Sequence, residues 1–512
     1  MKHRRAGKEL YQQLRALPWP QLWEEEVPQF DQASDRERFE RVAVIRAVGA
    51  AFAEGGATEQ REEVRQWLRR LLHDPQEKIR RYAIAALPKL GAGAGDEAEL
   101  LSLLRRDGPE REKKILGRTL ERIGGAATLE VLESTGAGTV QTQQKIRASV
   151  ARLDRPSAIR LDRTLPGSDR LRLHLRGRRG LEDFVREEVM AQGKFRVVEV
   201  KPGLVVVSAR APFTLADVFA LRCFGTVSFS LGLVSSGSDR NSIKELAAVI
   251  VSTQARQIFT ALTQGAIRYR LDFLARGHQR ALVRRVAERV YELCPDLLND
   301  AREVPWAIDI YPAERADSVE LRPRLGANPR LAHRLDDLPA SSHPALAACL
   351  ARLAGRRENE SIWDPFCGSG LELIERALLG GVRRVYGTDR SAEAIAITKR
   401  NFAAAPLASM EAHFICGDFR ALAQLAGLAP GSLSLIISNP PLGRRVPVPD
   451  LRGLFNDLFA VAATLLAPGG RLVFVNPFLM ESPQPSLKLQ SRRVVDLGGF
   501  NCRLEEYHKL GS

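Results

Sequence analysis

Three kinds of hydrophobic pattern follow one another along the chain. In the first, apolar residues recur at helical spacing. Val64, Leu68, Leu71 and Leu72 form one stripe, the pattern breaks at Asp74-Pro75, and it resumes with Ile79, Tyr82, Ala83, Ala86 and Leu87, as in two amphipathic helices joined by a tight turn. A further helical run closes at Gly124-Gly125, a pair suited to ending a helix. Beyond a segment rich in Pro, Gly and Arg at 156–169, short alternating runs take over. They predict strands near 171–177 and 266–276, hairpins at 195–209 and 306–325, and helices at 180–192, from 215, and at 279–294. In the last third, β-like runs end near 370, 391, 422, 443 and 478 with helical segments between them. That alternation predicts a parallel, doubly wound α/β sheet.

At 512 residues the chain exceeds the roughly 250 to 300 residues at which one hydrophobic core stops growing. About three domains are therefore expected. With 45% hydrophobic and 27% charged residues, the composition is that of a folded globular protein. No apolar run approaches the roughly 20 residues a membrane helix needs, and the basic N-terminus lacks the apolar core of a secretory signal. Those features predict a cytoplasmic protein without membrane attachment. Six scattered cysteines, with no CxxC pair, read as reduced thiols, and eight histidines without ligand spacing predict no metal site.

The net charge of +15 calls for a partner. It divides as +3 over 1–150, +8 over 151–339 and +4 over 340–512, and 63 of the 76 basic residues are arginines. Arginine forks onto phosphate and stacks on bases, so a polyanion is expected, held by the middle third. The phosphate-contact candidates are Arg176, Arg178, Arg179, Arg268, Arg270, Arg284 and Arg285, with Arg444 and Arg445 farther on.

Candidate chemistry gathers at the strand ends of the last third, because ligands of such sheets sit beyond the carboxyl ends of the strands. The first run ends in Asp364-Pro365-Phe366-Cys367-Gly368-Ser369-Gly370, where Gly368 and Gly370 let backbone approach a ligand. The second ends at Asp389, 21 residues after Gly368, where a carboxylate accepts ribose hydroxyls. The third ends at Asp418, placed for an adenine amino group. No lysine follows the glycines, which excludes a phosphate-binding loop. Cys367 lies inside this loop and is not expected to act as a nucleophile.

The fourth run ends in Ser438-Asn439-Pro440-Pro441-Leu442-Gly443. This resembles the Asn/Asp-Pro-Pro-aromatic motif of S-adenosylmethionine-dependent methyltransferases acting on exocyclic amines, and the whole C-terminal third resembles that family. The resemblance implies a Rossmann-like domain with Asp364 near the methionine part of the cofactor, Asp389 at ribose and Asp418 at adenine. Phe366, Cys367, Gly368, Gly370 and Asn439 complete the loop contacts. Catalysis falls to Asn439, Pro440, Pro441 and Leu442. An exocyclic amine is a poor nucleophile, since its lone pair is delocalised into the ring. If the Asn439 side-chain oxygen and the Pro440 carbonyl accept its N–H groups, the nitrogen can pyramidalise toward the methyl donor. The family's aromatic residue after the prolines stacks on the base; here it is Leu442, so another group, Arg444 or Arg445, must stack, or activity is altered.

Residues 170–326 resemble a THUMP domain with its ferredoxin-like companion, most clearly in ELCPDLLNDAREVPWAIDIYPAERADSVELRPRL. The segment after it resembles the connector of tRNA guanine-N2 methyltransferases and their large-subunit rRNA counterparts, with Pro339, Ala340 and Ser341 against the cofactor. Asn328, Arg330-Leu331 and His333-Arg334 depart from the usual connector residues. The helical hairpin of the first third resembles a HEAT repeat.

The expected chain is thus multidomain: an all-α HEAT-like domain at 1–155, a linker at 156–169, an α+β THUMP-like module at 170–326, a connector at 327–345 and an α/β Rossmann-like domain at 346–512. The expected function is methyl transfer from S-adenosylmethionine to the N2 of a guanosine in tRNA, or in rRNA, with a protein partner for the helical repeats. The alternatives are a non-catalytic RNA-binding scaffold and an adenine-N6 or protein glutamine methyltransferase.

Overall fold

A computed structural model describes residues 2–511 except 56–57, 92–93, 107, 136–139, 155–156, 168–169, 276, 278, 340, 408–409 and 445. The chain divides into two compact units, Met1–Ala158 with Leu233–Asp317, and Ile159–Gly232 with Ser318–Ser512. The module expected at 170–326 is therefore shared between them.

The first unit opens with the predicted helices. Arg61–Leu71 and Glu77–Ala86 are joined by the turn at Asp74, whose buried carboxylate accepts from the Gln76 N–H at 2.9 Å and pairs with Arg38 at 2.7 Å. Trp67 and Phe30 are buried at their base, ring against ring edge at 6.2 Å. The helix Glu110–Ile123 closes before Gly124 as expected. Later in this unit the strands Arg268–Phe273, Leu298–Asn299 and Trp306–Tyr311 run parallel, beside the helix Arg280–Leu293 with Leu282, Val286 and Val290 buried. Among the described residues no helix is long and apolar enough to cross a membrane.

The second unit holds two sheet portions. Strands β1 (Arg172–Arg176), β2 (Phe195–Lys201), β3 (Leu204–Ala209), β4 (Thr226–Val234) and β5 (Asp317–Pro323) lie in the order β5-β4-β1-β3-β2. Thr164–Leu165 pairs with Phe213–Thr214 and Leu165 is buried, so part of the expected linker at 156–169 is built into this unit. The other sheet contains β6 (Glu360–Asp364), β7 (Val382–Asp389), β8 (Glu411–Cys416), β9 (Leu433–Ser438), β10 (Leu466–Asn476), β11 (Leu487–Asp496) and β12 (Asn501–Lys509), ordered β8-β7-β6-β9-β10-β12-β11. The first five are parallel, as the alternating pattern predicts, and β12 runs antiparallel to both its neighbours. The pattern reading stops short of the last two strands, because charges such as the fully buried Glu505 interrupt their apolar faces; Asn476 and Arg492 satisfy it at 2.8 and 2.5 Å. Strand order reverses between β6 and β9, which opens a crevice at their carboxyl ends.

Buried ion pairs tie the 159–232 segment to the helices beside this sheet. Arg222 forks onto Glu375 of Leu371–Leu378 at 2.6 and 2.7 Å. Glu188 accepts from the Arg222 and Cys223 N–H groups and from Arg352 of Pro344–Ala354. Arg330 donates to the Phe224 carbonyl at 2.7 Å and lies 4.3 Å from that ring's centroid. A charge this deep is tolerated only when fully partnered.

Candidate functional site

The strand ends do converge. A cavity of about 1000 Å³ opens at the carboxyl edge of β6, β7 and β9, lined among others by Phe366, Gly368, Asp389, Asn439, Pro440, Pro441 and Leu442. Its first wall is the loop after β6. Gly368 and Gly370 have φ of 53° and 82°, left-handed conformations that glycine adopts without strain. A Cβ on Gly370 would come within 2.9 Å of the Thr398 methyl. The loop is pinned from behind by the Thr398 hydroxyl, which donates to the Gly368 carbonyl at 2.7 Å, and by Asn401, which donates to the Ser369 carbonyl at 3.0 Å. Asp389 faces the cavity with its carboxylate oriented by the Gly368 and Ser391 N–H groups at 3.1 and 2.9 Å. Phe366 and Phe419 present tilted rings 4.9 Å apart.

Asp364 is fully buried behind this wall. It accepts from the Ser438 hydroxyl at 2.5 Å and the Phe366 N–H at 3.0 Å, while Oδ2 has no partner among the described residues. Burial and the neighbouring Glu372 push its carboxyl well above the ordinary range. Glu372, in the first turn of Leu371–Leu378, is equally enclosed. Burial raises its carboxyl to about 7, against a lowering hydrogen bond with Ser342.

The second wall carries Asn439. Its Nδ2 donates to the Ser342 hydroxyl at 2.8 Å, and its Oδ1 is buried with no partner among the described residues. Facing it are Leu442, Arg444, His343, Arg178 and Phe500. The Arg444 guanidinium lies 4.1 Å from the Phe500 ring centroid. Burial and the charges of Arg178, Arg330 and Arg334 hold the His343 imidazole down at about 4, so it is neutral at physiological pH.

Several expected contacts fall elsewhere. The Asp418 carboxylate is occupied by Arg390 and by the Arg420 guanidinium at 2.9 Å and N–H at 3.0 Å. It caps the short turn Phe419–Ala421, and its neighbours Gly417 and Phe419 line the cavity instead. Cys367 is buried beneath the loop with its thiol 3.7 Å from the Thr398 hydroxyl, and Gly370, like Cys367, is not in the lining. Pro339 and Ser341 do line the cavity; Ala340 and Arg445 lie outside the described residues.

The arginines separate by fate. Arg268 is 3% exposed and pairs with Asp300 at 3.2 Å, because its strand position points inward; it is a buried strut and not a phosphate contact. Arg176 is held by Glu320, and Arg270 by Asp272 at 2.6 Å. Arg284 and Arg285 are exposed on Arg280–Leu293, bonded to Glu288 and to the Ser238 carbonyl. Arg179 is exposed, whereas Arg178 reaches the cavity with its Nε lacking a partner among the described residues. The sequence reading missed Ser342, Glu372, His343 and Phe500 as site residues. Only Ser342 and His343 carried a signal, their position directly after the connector motif.

With this geometry in hand, the similarities of the chain can be placed. Residues 332–484 match the RMKL-like methyltransferase domain. A 147-residue stretch is 29% identical to the tRNA (guanine(10)-N2)-dimethyltransferase of Methanothermobacter thermautotrophicus, covering 28% of this chain and 40% of that protein. A 123-residue stretch is 31% identical to ribosomal RNA large subunit methyltransferase G of Streptomyces griseus, covering 24% of this chain and 30% of that protein. The chain thus spans less than half the length of these curated relatives. The crystal structure of TrmN from Thermus thermophilus shares the fold with a TM-score of 0.52 at 23% identity, over 66% of this chain and 100% of that one.

Proposed function

We propose that this chain, whose residues 332–484 form an S-adenosylmethionine-dependent methyltransferase domain of the RMKL-like kind, methylates the exocyclic N2 of a guanosine in structured RNA, with tRNA the preferred class. The observation that carries the reading is the Asn439 Oδ1: a buried acceptor without a partner among the described residues, on the wall of the cavity that Asp389 and Gly368 also line. A buried acceptor left unpaired costs roughly 1 to 3 kcal/mol, and an amine N–H arriving there would satisfy it.

The residues present fit the methyl donor. Asp389, already oriented by two backbone N–H groups, has lone pairs left for two ribose hydroxyls. The Phe366 and Phe419 rings, packed against each other in the cavity wall, offer an apolar surface on which a purine can lie. When bound, S-adenosylmethionine supplies an electrophilic methyl group. Asn439 Oδ1 and the Pro440 carbonyl then accept the two N–H groups of the substrate amine and aim its lone pair, while neutral His343 adds no charge beside it. No residue here need take a proton before transfer, since the neutral amine is itself the nucleophile. Phe500, backed by Arg444, supplies the π face that Leu442 lacks.

The two named relatives, one acting on tRNA and one named for ribosomal RNA, support RNA as substrate, and the +8 carried by 151–339 supports its capture by a THUMP-like module in 170–326. A HEAT-like reading of 1–155 leaves a helical surface for a protein partner. The test is methyl transfer from labelled S-adenosylmethionine to bulk tRNA, rRNA and adenine-containing RNA, comparing wild type with Asn439→Ala and identifying the product nucleoside by mass spectrometry. N2-methylguanosine made only by wild type is expected. Product at adenine N6 moves the target atom, and silence of both proteins on every RNA leaves the non-catalytic scaffold.

A further inference from the structure

Four arginines line the cavity, and they fall into two pairs. Arg334 bonds to Asp337 at 2.5 Å, and Arg390 is spent on Asp418. Arg178 and Arg444 have neither a hydrogen bond nor an ion pair among the described residues, and the Arg178 Nε is buried in that state. A buried donor on a charged group is costly to leave unmet, so this pair of cations calls for an anion that the chain itself does not supply.

Both arginines stand at one short loop. Between β11 and β12 the chain turns through Leu497-Gly498-Gly499-Phe500, closed by the Leu497 N–H on the Phe500 carbonyl at 2.9 Å. On one side, a Cβ on Gly498 would lie 3.5 Å from Arg178 Nη1. On the other, the Arg444 guanidinium lies 4.1 Å from the Phe500 ring centroid. Asp496, at the start of the loop, bonds instead to the Gly498 and Gly499 N–H groups, at 2.8 and 2.9 Å. Arg178 is brought here by loop 177–180, which packs on β11. The Asp496 N–H donates to the Arg179 carbonyl at 2.9 Å, and Gly180, with φ 93°, is so close that a Cβ on it would overlap the Val494 carbonyl.

We propose that Arg178 and Arg444 form a phosphate clamp: they hold the two backbone phosphates that flank the target nucleotide, one arginine to each, while its base lies on the Phe500 ring between them. A guanidinium fork matches phosphate oxygens. The contact of Arg444 with Phe500 uses the flat face of its guanidinium and leaves the in-plane N–H groups for an acceptor. Gly498 and Phe500 are two residues apart, at most about 7 Å between their Cα atoms, which brings both cations within reach of one nucleotide. At about 1000 Å³ the cavity stands at the upper end of the roughly 300 to 1,000 Å³ of a site for one drug-sized ligand, which leaves room for a nucleotide beside the methyl donor. A base enters such a site by leaving its stack, and its flanking phosphates come with it. The substrate class thus narrows to a guanosine within a chain, phosphate on both sides, and excludes a free nucleoside. The clamp positions the nucleotide and carries no base information itself. The inference rests on the RNA substrate proposed above.

The test titrates guanosine 3′,5′-bisphosphate into the full chain in the presence of S-adenosylhomocysteine and follows its two phosphorus NMR resonances. Both should move with wild type, and the bisphosphate should bind severalfold more tightly than either guanosine monophosphate. Arg178→Ala should abolish the movement of one resonance and Arg444→Ala that of the other, each lowering affinity to that of a monophosphate. Arg178→Lys, which keeps the charge without the fork, should retain part of the effect. Calorimetry should find S-adenosylmethionine affinity unchanged in both alanine variants. Equal effects of either substitution on both phosphates, or a bisphosphate that binds no more tightly than guanosine, overturns the clamp. So does a loss of cofactor affinity in Arg178→Ala, which would give that arginine to the cofactor's carboxylate. Adenosine 3′,5′-bisphosphate separates the clamp from the functional reading: equal binding, with one phosphate still assigned to each arginine, keeps the clamp and removes guanine as the target. Silence of wild type in methyl transfer with those same assignments keeps the clamp and removes the enzyme.

Discussion

The two walls of the cavity are built on different terms. On the wall proposed for the cofactor, the residues come from one contiguous loop after β6 and one aspartate after β7, and the Asp389 carboxylate is already oriented by backbone N–H groups. On the wall proposed for the substrate the groups come from segments far apart in sequence: Arg178, Ser342, Asn439 and Phe500. There the Asn439 oxygen and the Arg178 Nε lack partners among the described residues. A carboxylate already oriented by backbone N–H groups, as Asp389 is, is preorganised for a ligand that binds in every turnover. A wall with unmet acceptors and donors gains most from the arriving substrate, which is where transition-state complementarity belongs.

Substitutions can break that contrast, and the largest effect is expected at its centre. Asn439→Ala should lower kcat by on the order of 10² to 10³, the usual weight of a preorganised polar group, while calorimetry finds cofactor affinity unchanged; a matching loss of cofactor affinity would merge the two walls into one. Asp389→Ala should do the converse, weakening S-adenosylmethionine binding by roughly 10- to 100-fold, as expected for lost hydrogen bonds to a charged group. Unaltered affinity by calorimetry would remove Asp389 from the ribose site. Phe500→Ala should cost about tenfold in kcat/KM for RNA, toward the lower end of the 1 to 3 kcal/mol range of base stacking. Combining it with Leu442→Phe should recover part of the loss, and no effect of either would show that the base stacks elsewhere.

The smallest expected effect sharpens the division among the arginines. Arg178→Ala should weaken RNA binding severalfold and reduce the slope of log affinity against log salt by about 1, the signature of one lost phosphate contact. An identical salt slope would assign Arg178 to the cavity's own architecture.

Legibility in the sequence followed the same division. The parallel strands β6 to β10, the glycine loop, Asp389 and Asn439 were all readable, because each is announced by residues adjacent in the chain: an apolar run, then a turn, then a side chain at the strand end. Asp418 stands just past a strand end as expected, and its carboxylate is paired with Arg390 and Arg420, ion pairs that leave no periodic trace in the sequence.

What the sequence determined by itself was the doubly wound C-terminal sheet, the helical character of the first third and the residues that one cavity wall brings together, since hydrophobic periodicity and contiguous motifs are local properties. Only the tertiary structure decided which arginines are spent on carboxylates and which reach the cavity, that Phe500 lines the same cavity as Leu442, and that Ser342 bonds to Asn439. Apart from the local pairs of Arg270 with Asp272 and Arg284 with Glu288, those facts depend on partners tens to more than a hundred residues away. Burial and charge pairing between such residues are set by packing, which no single stretch of sequence contains.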